Sequence, residues 1–113
     1  MVNKKDEKST ERCSLKEVLD ILGGKWAMPI IYTLSNGKMR FKELERSIPH
    51  INTRMLVKEL KNMEANGIVI REVFATVPPT VEYTLTPKGE KLVPIIRELH
   101  KWGEEYSEQK VSE

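Results

Sequence analysis

Residues 40–67 read RFKELERSIPHINTRMLVKELKNMEANG, and the order of apolar and charged positions in this stretch decides the fold. Phe41, Leu44 and Ile48 recur at the spacing of one face of a short helix, which Pro49 stops. Asn52 then stands where a helix cap belongs, its side chain able to accept a hydrogen bond from a free amide of the next turn. From Asn52 to Asn66 a rotation of about 100° per residue puts Leu56, Leu60 and Met63 on one side and Arg54, Lys58 and Lys61 on the other. Gly67 closes this helix by taking a left-handed conformation. One face can be buried while the other meets phosphates.

Downstream, Ile68 to Val77 and Val81 to Leu85 are rich in β-branched and aromatic residues, and Val81, Tyr83 and Leu85 alternate with Glu82 and Thr84. They read as hairpin strands. Pro78-Pro79 between them donates no backbone hydrogen bonds and pushes Val77 toward an extended form, which predicts a stiff projecting loop. Helix, tight turn, capped helix and hairpin in this order describe a winged helix-turn-helix, a DNA reader, with the reading helix at about 52–66 and the wing at about 68–86.

Upstream, Met1 to Arg12 has mixed charge and no apolar periodicity and reads as a mobile polar arm, 1–12. Ser14 with Glu17 fits a capping box, and Leu15, Val18, Leu19 and Leu22 follow at helical spacing until Gly23-Gly24. Trp26, Ile30, Ile31 and Leu34 mark a second helix, ended by Gly37. Pro29 is tolerated only in a first turn, so this helix begins near Ala27 or Met28 with Trp26 packed inward.

At the other end, Thr86-Pro87 is an N-cap followed by proline at the first helical position. Leu92, Ile95, Ile96, Leu99, Trp102 and Tyr106 line one side of the helix expected over about 87–106, and Pro94 should kink it. A stripe of that size either packs across its own domain or meets a partner subunit, and its extent favours the partner. Residues 107–113 read as a polar tail.

The chain has 113 residues, enough for one domain, 13–106 by this reading, with its own core. It is 39% hydrophobic and 32% charged, with no apolar run near the ~20 residues that span a bilayer. The polar start lacks the apolar region of a secretory signal, so a cytoplasmic location and no membrane partner are expected. The formal net charge is only +2, but seven basic residues against three acidic ones fall between Lys38 and Asn62. From Glu90 onward glutamates dominate, so positive charge is concentrated on the reading unit.

With these segments placed, the chain resembles the HxlR-type family of bacterial winged-helix transcriptional regulators. The resemblance spans Cys13 to Tyr106 and rests on Gly23-Gly24-Lys25-Trp26, Arg40-Phe41-Lys42-Glu43-Leu44, Leu60 to Glu64 with Asn66-Gly67, Pro78-Pro79 with Val81-Glu82-Tyr83, Leu85-Thr86 with Gly89, and Trp102-Gly103. It implies an α+β, mainly helical fold, a winged helix-turn-helix with N- and C-terminal dimerisation helices. It also implies a homodimer bound to double-stranded DNA at a palindromic operator, with half-sites ~34 Å apart. Leu15, Leu19, Leu92, Ile95, Ile96, Leu99, Trp102 and Tyr106 would form the interface.

On the reading helix, Thr53 and Arg54 lie nearest the end that reaches base edges, with Asn52 and Val57 beside them, while Lys58 and Lys61 meet phosphates. Arg40 and Lys42 would clamp the flanking backbone. The family's wing often carries a basic residue after the paired prolines, and here that position is Thr80. The wing tip therefore offers only the hydroxyls of Thr76 and Thr80 to phosphate, or mainly shields the core. Pro29 is a second departure, one that leaves the DNA residues alone.

Cys13 precedes the Ser14 cap and follows Arg12, a setting that favours thiolate, and the resemblance places a sensing cysteine here. The implied partner is a small electrophile or oxidant; the alternative is a buried, inert thiol. As the single cysteine, it could form a disulfide only between subunits or with a small thiol. His50 and His100 are too far apart in sequence to suggest a metal site, and no nucleophile motif, phosphate-binding glycine loop or paired acid suggests an enzyme or cofactor. Trp26 and Trp102 read as two core anchors rather than an aromatic ligand pocket. The remaining rival is a winged helix that holds another protein without specific DNA readout.

Overall fold

The computed structural model describes residues 15–112, with side chains as far as Ser107. The expected polar arm, Cys13 and the Ser14 cap lie outside the described residues. The elements are α1 (Leu15–Leu22), α2 (Ala27–Leu34), β1 (Met39–Arg40), α3 (Phe41–Ser47), α4 (Thr53–Ala65), β2 (Val69–Phe74), β3 (Thr80–Leu85), α5 (Pro87–Glu90) and α6 (Leu92–Ser112).

The core forms where α2, α3 and α4 pack against the sheet and the start of α6. Ile30 and Ile31 of α2, Leu44 of α3 and Leu56, Leu60 and Met63 of α4 meet Ile68, Val69, Tyr83, Leu85, Val93 and Ile96. The inward face of α4 is sealed, with Leu56, Leu60 and Met63 at 0%, 2% and 0% exposure. Pro29 sits in the first turn of α2, as its missing N–H requires, and Trp26 precedes that helix, partly buried against the core.

The helix-turn-helix joint is short. Ile48 ends α3, His50 takes a φ of 71°, and the Asn52 side chain accepts the Met55 amide at 2.8 Å to start α4. At its far end, Gly67 has a φ of +73°, a left-handed turn where a side chain would be strained.

The sheet has the order β1-β3-β2, and all pairs are antiparallel. In the wing, Val69 faces Leu85, Arg71 faces Tyr83 and Phe74 faces Thr80. The hairpin strands are shorter than expected on the β2 side: pairing stops at Phe74, and Ala75 to Pro79 form the loop. β1 was not expected. Its Met39 and Arg40 join the open edge of β3 opposite Tyr83 and Glu82.

The C-terminal region also departs from expectation. One helix kinked at Pro94 was expected, but the chain forms the short α5 and then restarts at Leu92, which places Pro94 in the first turn of α6, where its missing N–H costs nothing. α6 continues to Ser112, so most of the expected polar tail is helical. Ile96, expected on a partner-facing stripe, is instead 5% exposed within this chain's own core, and Leu92 packs partly buried against that core. Ile95, Leu99, Trp102 and Tyr106 remain exposed, as do Leu15 and Leu19 of α1.

The segments on either side of the hairpin are tied together. Thr86 donates its hydroxyl to the Gly67 carbonyl at 2.6 Å and accepts the Gly89 amide at 3.0 Å, while Lys88 Nζ donates to the Asn66 carbonyl at 2.9 Å. Gly89 is buried where α5 crosses Ile68.

Candidate nucleic-acid interface

α4 presents Thr53, Arg54, Val57, Lys58 and Lys61 outward, all exposed, opposite its sealed apolar face. Arg54, Lys58 and Lys61 follow at intervals of four and three, which align them along one side of the helix over about 10 Å. Among the described residues, none of the three has a carboxylate within ion-pairing distance; Lys101 pairs with Glu98 on α6, where His100 also lies 3.7 Å from Glu104. The row is therefore electrostatically unspent.

The start of α4 is more constrained. Asn52 uses its Oδ1 as the helix cap, which leaves its amide N–H groups for any outside contact. Thr53 donates its hydroxyl to the Glu45 carboxylate of α3. Arg40 and Lys42 are exposed at the start of α3, where the Arg40 backbone amide donates to Glu43 at 2.8 Å and fixes the helix start. The sequence-expected cations thus gather on α3 and α4.

The two wing hydroxyls have different settings. Thr76 is exposed and donates its hydroxyl to the Pro78 carbonyl at 2.7 Å within the loop. Thr80 is half-buried at the start of β3. Arg71, third of the six residues of β2, lines a cleft of about 230 Å³ with Val57, Leu60, Lys61 and Glu64 of α4 and Tyr83 of β3. Lys38 sits over the Phe74 ring at 5.9 Å. In the sequence Arg71 is one polar position of a strand; its pairing with Tyr83 and the shared cleft set it beside α4.

The two tryptophans have separate settings. Trp26 packs against the core under Lys25, whereas Trp102 is exposed beside Tyr106 on α6. Tyr32 of α2 stacks on His100 of α6 at 5.5 Å. Among the described residues, no three His, Cys, Asp or Glu side chains gather as a metal site, and no helix is long and apolar enough to cross a membrane.

A family model for an HxlR-like helix-turn-helix matches residues 21–111. An HTH-type transcriptional regulator of Methanothermobacter thermautotrophicus is 45% identical over 94 residues, which cover 83% of this chain and 72% of the relative. The reduced form of the redox regulator HypR superposes with a TM-score of 0.80 at 43% identity, covering 88% of this chain and 98% of that one. The reduced form of the transcriptional regulator YodB from B. subtilis gives a TM-score of 0.73 at 38% identity, covering 81% and 90%. With a capped basic helix set between a tight turn and a hairpin, and with these likenesses across most of its length, the chain belongs to the HxlR-like helix-turn-helix family of transcriptional regulators.

Proposed function

We propose that the chain is a sequence-specific DNA-binding regulator that acts in the cytoplasm as a homodimer on a palindromic operator. The observation that carries this reading is the row of Arg54, Lys58 and Lys61, exposed and without ion-pairing partners among the described residues, on a helix whose other face is sealed. Arg54 reads bases from the N-terminal half of α4. Lys58 and Lys61 neutralise phosphates, and Arg71, Arg40 and Lys42 extend the contact along the backbone. Exposed Leu15, Leu19, Ile95, Leu99, Trp102 and Tyr106 supply an apolar seam for a second copy.

A salt titration tests the DNA contact. Binding should weaken steeply as salt rises, and Lys58→Ala should lower the slope of log affinity against log salt by about 0.9, one phosphate equivalent. A slope unchanged by the substitution would remove Lys58 from the interface. Weak binding with no preference among DNA sequences would instead favour a protein-holding winged helix.

The likeness to HypR, whose structure is described as that of a redox regulator, supports a second element of the proposal: Cys13 senses oxidants or electrophiles. Its thiolate, favoured by Arg12 and the helix start expected from the sequence, would form an adduct or an intersubunit disulfide. Diamide should change the operator affinity of the native protein and leave that of Cys13→Ser unaltered. Equal responses of the two proteins would sink the sensing role.

A further inference from the structure

The contact between Thr53 and Glu45 joins the two helices of the helix-turn-helix at the end of α4 that the proposed function sends to the bases. Thr53 is the first residue of α4, and Glu45 lies in α3, eight positions earlier, brought alongside by the turn through Ile48 to Asn52. A threonine hydroxyl has one proton, and here Glu45 takes it. What the pair can offer outward is lone pairs: those of Thr53 Oγ1 and those left on the carboxylate. Glu45 is half-buried, and among the described residues it has no ion-pairing cation and no other hydrogen-bond donor.

An acceptor-only element at this position repels phosphate oxygens and the acceptor edges of guanine and thymine. In the major groove, hydrogen-bond donors are the N4 amine of cytosine and the N6 amine of adenine. Adenine sets its N7 acceptor beside that amine, where a carboxylate meets repulsion. Cytosine presents its amine next to a C–H. We propose that Glu45, held by Thr53, is a specificity-determining residue that selects a cytosine within each half-site, beside the base pair contacted by Arg54. This assignment rests on the reading of α4 as the recognition element.

The test uses the full chain and a library of duplexes randomised across the half-site, with bound sequences counted for the native protein, Glu45→Gln, Thr53→Val and Arg54→Ala. Glutamine carries both a donor and an acceptor and matches the N6 and N7 edge of adenine. Glu45→Gln should therefore move the preference at one position of each half-site from cytosine to adenine, changing the ratio by about tenfold or more. Thr53→Val should relax that position without turning it toward adenine, and Arg54→Ala should relax a neighbouring position. Thermal melts of the variants, expected within a few degrees of the native protein, separate readout from folding. A role confined to bracing α4 would lower affinity for every sequence alike and leave the preference pattern in place, which would overturn the proposal. If Arg54→Ala alters the pattern and Glu45→Gln does not, the cytosine assignment fails while the reading of α4 stands. If the native protein selects no sequence at all, both fall.

Discussion

Replacing both Leu99 and Trp102 by glutamate should leave a folded monomer that binds the operator at least a hundredfold more weakly. Leu99 is 49% exposed and Trp102 60% exposed, so neither replacement opens the core built around Ile96 and Val93. Two charges set into an apolar seam oppose association of two copies, because each would lose its water without gaining a partner. A palindrome read by a dimer gains affinity from the second half-site through effective concentration, commonly by 10² to 10⁴. That gain is what the double variant removes. Sedimentation should show the monomer, circular dichroism its retained helices, and a gel shift the lost affinity. A variant that stays dimeric and binds like the native protein would rule out this face as the seam.

The second large effect lies at Gly89. A methyl group there would overlap the Ile68 carbonyl oxygen and crowd the Ile68 side chain, a clash of space and not of backbone angle. Neither neighbour can retreat cheaply, since the same carbonyl accepts the Thr86 amide at 2.9 Å and the Ile68 side chain is buried in the core. Gly89→Ala should cost about 2 to 3 kcal/mol, in the range of overpacked cores. Against a total stability of about 5 to 15 kcal/mol, the melting temperature should fall by roughly 10 °C or more. A melt within a degree or two of the native protein would show that α5 can shift away from the wing without loss.

Much of this architecture could be read from residues alone because the signals are local. Asn52, the spacing of Leu56, Leu60 and Met63, and Gly67 each act within one helix, and α4 appears where they place it. β1 gave no such signal: two residues carry no alternation of their own, and Met39 and Arg40 become a strand only because β3 offers an edge. The stripe on the last helix was legible as apolar but not as divided. Leu92 and Ile96 pack on this chain's core while Ile95, Leu99, Trp102 and Tyr106 turn away, a separation that depends on where α6 lies against α2. At the candidate interface, the cations of α4 could be named from periodicity. The direction of the Thr53 and Thr76 hydroxyls could not, since each is set by an acceptor that the fold brings near.

The hydrogen bonds of Thr86 and Lys88 to the end of the reading helix have a consequence for signalling in the proposed dimer. They join the turn after α4 to the start of α5, the short helix that leads into α6, so in the proposed dimer a movement of α6 would be passed toward α4. α6 has 21 residues, a lever of about 31 Å. A swing of about 10° at one end of such a lever carries the other through about 5 Å, more than the ~3.4 Å that separates successive base pairs. In the proposed dimer, a modest change of angle where two copies meet would therefore be enough to put their α4 helices out of phase with successive grooves.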